Sequence, residues 1–386
     1  PTLETFTLNK DLSIFLTAFL IDVGVIAVGL CTPLLAIQLG ADYKDLGFIG
    51  AAGSLSYCLS CYFLGHFSDR IGYRRTVIGG TIALFIIILM FPLMNGVGGL
   101  ISLSAMLGLA TSHCWPPMQA WLGEGKGHRT LRFSIAVYNV SWSLGILAGP
   151  VLGGQLFTVN AILPFYASAG FVGLAVLIVL TTGNRKSHSA PEDPRPPQTE
   201  PAFSYILPIA WLANFAAFFS HSSVRQLFPK LATDLDISPV SLGNLMALIG
   251  VSQAVVFVAL AVISGWQSRP ALLFGAQFIS IASLAILTAG KSTFVFAIAL
   301  LGLGLAAGVT FSFAIFHTLN SKSPLGKRAG TNEAIVGSGF MLGPLLGGYA
   351  AEQFGSRSPY ILGLVIFLLM FGPQVYLLAK ASKRET

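Results

Sequence analysis

Charge is what this chain has least of. Of its 386 residues only 10% are Asp, Glu, Lys or Arg, while 54% are hydrophobic. A soluble domain carries roughly 25% charged residues, so no water-soluble arrangement could cover this chain with polar surface. Cysteine is scarce too: the four, Cys31, Cys58, Cys61 and Cys114, all fall inside apolar runs, which excludes an extracellular disulfide framework. Cys58 and Cys61 form a C-x-x-C, yet no strand, turn or further ligand accompanies them, and helix packing is the expectation. "GLGLAA" (Gly302 to Ala307) satisfies G-x-G-x-x-A but follows no strand. Asn139-Val140-Ser141 has the form of a glycosylation acceptor and is likewise embedded in an apolar run. Nothing places a nucleophile beside a base or assembles a metal triad, so neither enzyme chemistry, a metal nor a cofactor is expected.

Long apolar runs, by contrast, recur along the whole length. A bilayer crossing needs about 20 apolar residues, and reading runs between polar breaks gives twelve spans: 11–38, 45–67, 76–94, 98–122, 131–157, 161–181, 203–230, 241–264, 270–289, 293–319, 328–352 and 359–379. The first lacks a basic leader and is too long for a cleaved signal peptide, so it reads as the first membrane helix. Between the sixth and seventh lies the charged, proline-rich "GNRKSHSAPEDPRPPQTEPA", a linker by composition. The expected division is a first six-helix bundle over 1–182, a cytoplasmic linker over 183–202 and a second bundle over 203–386. With both termini cytoplasmic, 17 Lys and Arg lie on that side and four (Lys44, Lys230, Lys291, Arg357) on the other. The positive-inside rule selects that orientation and accounts for the net charge of +7 without nucleic acid.

The two halves echo each other. "NVSWSLGILAGPVLGG" in span five returns as "NEAIVGSGFMLGPLLGG" in span eleven, with Gly149-Pro150 and Gly343-Pro344 offset by 194. Pro33 in span one matches Pro229 in span seven at an offset of 196. At that offset the loop "GHFSDRIGYRR" between spans two and three aligns with "AVISGWQSRPA", where Asp69 faces Gly265 and Arg70 faces Trp266. The expected fold is an all-α membrane protein of twelve transmembrane helices in two pseudo-symmetric six-helix bundles, with the site where the repeats meet.

In that first loop Gly65 lets a neighbouring helix approach, and Asp69 suits an orphaned helix N-terminus. Arg70, Arg74 and Arg75 are basic anchors and candidate partners for Glu124 at the end of span four. The set Gly65, Asp69, Arg70, Gly72, Arg74 and Arg75 resembles the loop signature of the major facilitator superfamily, with Tyr73 replacing one arginine. The resemblance covers the whole chain and implies alternating access by rocking of the two halves, monomeric function, and Asp69 docking on span eleven when the cytoplasmic side closes. Within that family "GILAGPVLGG" (Gly145, Gly149, Pro150, Gly153, Gly154) is similar to the span-five motif of drug–proton antiporters. Its repetition at Gly343 and Pro344 equally suits close helix packing and bending.

Polar groups inside the spans are costly and therefore informative. Asp22, mid-span in "FLIDVGV", is read as a proton-binding carboxylate; a structural hydrogen bond is the alternative. In span seven Asn214, His221 and Arg225 stand at spacings of seven and four, on one helical face. Arg225 suits a substrate anion or an internal acid such as Asp22, and snorkelling to the interface is the third reading. His113, Trp115 and Gln119 in span four, beside Pro116-Pro117, and Tyr138, Asn139 and Trp142 in span five suit a mostly apolar pocket with few polar groups. Glu333 aligns with Asn139 and is either a second proton-coupling group or a carboxylate at a helix start.

These features point to a secondary transporter in a plasma (bacterial inner) membrane, moving a small organic solute with protons as coupling ion. Efflux is the preferred reading, on the span-five motif. Uptake or exchange of a small organic anion is the alternative, on Arg225 and the lack of an arginine in span four. An intramembrane enzyme and a non-transporting receptor are remote alternatives.

Overall fold

The computed structural model describes residues 9–124, 128–182, 206–319 and 325–385. Among them there is no β-strand. The helices are α1 (Lys10–Gln38), α2 (Tyr43–Ile71), α3 (Tyr73–Met90), α4 (Val97–Ser112), α5 (Trp115–Gly123), α6 (His128–Val159), α7 (Leu163–Thr181), α8 (Ile206–Asp234), α9 (Pro239–Val262), α10 (Pro270–Ala289), α11 (Thr293–Leu319), α12 (Leu325–Phe354) and α13 (Ser358–Glu385). Local chemistry sets several boundaries. The Asn9 side chain accepts from the Asp11 amide and caps α1, and Ser238 does the same for α9 through Ser241. Pro116 and Pro117 cannot donate to the carbonyls of Ser112 and His113, so span four breaks there into α4 and α5. Gly72 alone separates α2 from α3 at a φ of 95°, a left-handed turn that a side chain would strain.

Counting α4 and α5 as one, the helices make the twelve expected spans in two six-helix groups, α1 to α7 and α8 to α13. Ten are long and apolar enough by composition to cross a membrane. The other two are α2 and α8, and α8 carries Asn214, His221, Arg225 and Lys230. The expected linker, 183–202, lies outside the described residues.

Glycines organise the packing twice over. Gly145, Gly149 and Gly153 form a stripe on α6 against α1, where added β-carbons would meet Asp22, Ile26 and Cys31. Gly339, Gly343 and Gly347, each 194 residues later, form the same stripe on α12 against Phe215, Phe219 and Ser223 of α8. Between the halves, Gly243 of α9 lies on Pro150 and Gly154 of α6, and Gly47 of α2 lies on Pro344 and Gly348 of α12. A β-carbon on Gly47 would stand 2.6 Å from the Pro344 carbonyl oxygen, so backbone touches backbone at both contacts. These pairs close one end of the molecule, where α1 ends and α2 begins.

A few charged groups reinforce that end. The Tyr43 hydroxyl donates to Asp234 across the halves (2.9 Å), Lys230 lies 3.8 Å from the same carboxylate and 5.3 Å from the Tyr43 ring centroid, and Lys44 lies over Tyr349 at 5.1 Å. Farther out in the second group, Gln277 of α10 and Gln374 of α13 exchange amide hydrogen bonds of 2.8 and 2.9 Å, both fully buried.

At the opposite end the first-half loop differs from expectation. Glu124 lies 3.9 Å from Lys10, and its carbonyl accepts from the same ammonium at 3.0 Å. Arg74 donates to the carbonyls of Val179 and Leu180 at the end of α7, while Arg70 and Arg75 are exposed. The surroundings of Gly65 and the side chain of Asp69 lie outside the described residues. In the second-half loop Trp266 is buried, donates to the Leu260 carbonyl (2.9 Å) and packs edge-on to Phe313 and Phe316.

Gly243→Val should push α9 off α6 and cost about 1–3 kcal/mol, read as an earlier thermal unfolding in detergent. Gly170→Ala, with nothing within 4 Å of the new carbon, should not bring unfolding earlier, since alanine suits the interior of α7 better than glycine.

Candidate functional site

The closed end forms the roof of a cavity of about 210 Å³, because Pro150 both seats Gly243 and lines the space below. Both halves contribute walls. Ile26 and Gly29 come from α1, Trp142 and Ile146 from α6, and Met246 and Ile249 from α9. Aromatic rings dominate the rest. Phe218 of α8 lies 5.0 Å from Phe340 of α12 and 6.0 Å from Phe311 of α11, centroid to centroid, and all three line the cavity. Behind them Phe257 bridges Phe311 (6.1 Å) to Trp142 (5.9 Å), so rings run from one half to the other. Such a wall offers apolar and π contact with few orienting polar groups, as expected of a small-molecule site.

The polar lining is sparse: His221, Gln253 and Arg225. His221 stacks on Phe218 at 6.1 Å, and its Nδ1 is buried without a hydrogen-bond partner. Arg225, one turn further along α8, is the single charged residue among the described residues that line the cavity. One guanidinium nitrogen reaches α1, where a β-carbon on Gly29 would lie 3.1 Å from it.

Asp22 stands behind this wall. It is 6% exposed and packed on Gly145, so closely that any side chain there would displace it. Arg225 is the charged group that acts on it, through a low-dielectric interior, and Tyr138 of α6 lies beside it. No ion pair within 4 Å joins Asp22 and Arg225 among the described residues.

Of the residues singled out in the sequence, His221, Arg225 and Trp142 therefore meet at one cavity, with Asp22 adjoining it. Asn214 shares their helix face and is wholly buried, both amide atoms lacking a partner, but it does not line the space. Asn139 accepts from the Trp142 indole (3.1 Å) and orients it from outside. Tyr138 is buried between Asp22 and Gln119. His113 turns back on its own helix, to the Leu109 carbonyl at 2.8 Å, beside Gly80 of α3, and Trp115 packs into the core. The break at Pro116-Pro117 thus points span four's polar groups away from the cavity. Glu333 faces Tyr57, Cys58 and Cys61 of α2. Because α12 starts at Leu325, it lies more than two turns inside, beyond the first-turn reach of the helix dipole.

Sequence reasoning missed Met246, Gln253, Phe311 and Phe340. The stacking of rings on α8 and α12 follows the glycine stripe Gly339–Gly343, which was the one available signal.

A cavity shared by two repeat halves of a helical membrane protein is the arrangement of a carrier. The chain belongs to the Major Facilitator Superfamily, whose sequence model matches residues 14–209 and again 210–386. It is an integral membrane transporter and not an enzyme. It is similar to the uncharacterized MFS-type transporter YqjV of Bacillus subtilis, with 24% identity over 94% of this chain and 92% of that protein. Multidrug resistance protein 1 of the same organism is 23% identical over 88% and 89%. A crystal structure of a bacterial homologue of the human lysosomal transporter Spinster, inward-facing and unoccupied, superimposes with a TM-score of 0.69 over 97% of this chain and 95% of that one, at 15% identity.

With the four native cysteines replaced by serine, a single cysteine at Ile146 or Gln253 should react with a small hydrophilic thiol reagent, and one at Leu84, 0% exposed, should not. Mass spectrometry of the labelled protein reads all three, and equal labelling would contradict the cavity.

Proposed function

We propose that this chain is a proton-coupled secondary transporter that carries a small organic anion by alternating access, in uptake or exchange. The observation that carries the reading is the placing of the charges: a lone guanidinium on the cavity wall from one half, and a buried carboxylate from the other half within its field. A charge inside a membrane protein costs several kcal/mol. Two opposite charges held near each other but out of contact therefore form a poised pair. Asp22 takes and releases the proton, Arg225 receives the solute, and each alters the other's occupancy. Glu333, between α2 and α12, is a second site where a proton can follow the rocking of the halves.

The distribution of Lys and Arg supports placing both termini in the cytoplasm of a bacterial inner membrane. The glycine-sealed end then faces outward, and the cavity is reached from inside. The two six-helix groups rock as halves on either side of the cavity, and the exposed arginines of the loop after α2, with Asp69, make the cytoplasmic closure. The transporting unit is a monomer. A second reading, drug efflux, draws on the similarity to a protein named for multidrug resistance and on the span-five motif. The absence of an acid among the described residues that line the cavity weighs against a cationic cargo.

Asp22→Asn should abolish accumulation driven by a pH gradient in proteoliposomes while counterflow exchange persists. Undiminished gradient-driven accumulation in that variant would remove Asp22 from the coupling role.

A further inference from the structure

The cavity says more about its cargo than that it is small and anionic. At about 210 Å³ it falls below the 300–1,000 Å³ of pockets that hold drug-sized ligands. Inside it the guanidinium of Arg225 is a planar fork without a carboxylate in contact, and such a fork matches a carboxylate in two parallel hydrogen bonds. One and two turns before Arg225 on the same helix face come His221 and Phe218. With Phe311 and Phe340 they form a ring-lined slot beside the charge. A flat ring carrying a single carboxylate on its edge satisfies both features at once. A straight aliphatic acid leaves the rings unused, and a dianion exceeds the one positive charge.

We propose that the site takes a small aromatic monocarboxylate and that each anion moves together with one proton. This deepens the anion-carrier reading above and rests on it for the site. The coupling follows from counting charges. One guanidinium can neutralise one carboxylate, either that of Asp22 or that of the cargo. When the cargo's carboxylate occupies Arg225, Asp22 loses its compensating charge in a place where an isolated anion is expensive. A proton from the aqueous side then binds the Asp22 carboxylate and forms its O–H bond. Anion and proton cross together, and both are released on the far side. The groups around Asp22 supply no substitute. Tyr138 of α6 is the other titratable side chain acting beside it, and His221 adjoins Arg225 on α8. On the remaining neighbours of α1, α4 and α5 contain no titratable residue between Val97 and Ser112 or between Trp115 and Gly123, apart from the cysteine and histidine at their junction. On α7 the sole one is Tyr166, which is exposed. Tyr57, Cys58 and Cys61 of α2 face Glu333.

The test is calorimetric titration of the purified full chain with benzoate, acetate, benzyl alcohol and tetraphenylphosphonium, each in two buffers of different ionisation enthalpy. The expected result is that benzoate binds at least tenfold more tightly than acetate or benzyl alcohol, with uptake of close to one proton per anion. Arg225→Gln should lose at least tenfold in benzoate affinity, since charge-assisted bidentate hydrogen bonds are among the strongest a protein makes. Arg225→Lys keeps the charge without the fork and should fall between, which keeps the test readable if the glutamine variant fails to fold. Asp22→Asn should bind benzoate with no proton uptake. Tetraphenylphosphonium binding that survives Arg225→Gln, or acetate binding as tightly as benzoate, would overturn the cargo assignment. Benzoate binding without proton uptake in the wild type would overturn the coupling. Gradient-driven accumulation in proteoliposomes, measured in parallel with labelled tetraphenylphosphonium and benzoate, separates the two readings. Movement of the cation alone leaves a proton-coupled carrier standing with this cargo assignment gone. Benzoate bound with its proton but never accumulated removes the carrier reading and leaves the site.

Discussion

Everything in this molecule depends on backbone touching backbone between its halves. In a bilayer, apolar side chains gain little by leaving lipid for protein, so helices associate through close van der Waals contact and hydrogen bonds. Closeness requires the removal of side chains. Gly47 on Pro344 and Gly348, and Gly243 on Pro150 and Gly154, supply that twice, related by the repeat. The same turns carry the cavity roof, since Pro150 takes part in both. The stripes on α6 and α12 then fix where α1 and α8 lie, and with them the depth of Asp22 and Arg225. A shift of either seam would move the two charges relative to each other.

With so few charges, those inside the molecule and at its sealed end have definable tasks. Around the sealed end Tyr43, Lys230, Asp234 and Lys44 combine ring and carboxylate contacts across the halves. The charged groups among them are partly exposed, each interaction worth little alone in water, which suits an end that opens in the alternating access proposed above. The centre is handled differently. There the charges stay apart, and the hydrogen-bonding capacity of His221 and Asn214 is left unused. Polar groups left unsatisfied in a low dielectric are costly, which is tolerable where a ligand or water supplies the missing partner in part of a cycle.

Much of the fold was legible in the sequence because lipid imposes a simple rule on length and polarity. The run 293–319 became α11 over the same residues, and the break in span four fell at the prolines that marked it. The halves were legible because glycine and proline recur at fixed offsets. Helix rotation was another matter. α4, α9 and α11 are apolar on every side, so no periodicity told which face looks inward. Phe311 and Phe340 are indistinguishable in sequence from phenylalanines facing lipid, whereas Arg225 and His221 declared themselves by their cost. Polar residues beside the double proline misled for the opposite reason: His113 turns back to the Leu109 carbonyl, and Gln119 of α5 is exposed, so neither lines the cavity. The pairing of Glu124 with Lys10 was hidden because it depends on where α1 begins relative to α5.

The loops after α2 and after α9 occupy equivalent places in the repeat, yet one presents exposed Arg70 and Arg75 and the other folds Trp266 inward. The first loop thus presents two exposed arginines and the second a single one, Arg269, beside a tryptophan that is turned in. A leaflet rich in acidic headgroups attracts nearby basic side chains by about 1 kcal/mol each, over a Debye length. At these two loops such a surface pulls on the first half by about one side chain more than on the second, a small bias on a balance that the repeats alone would leave even.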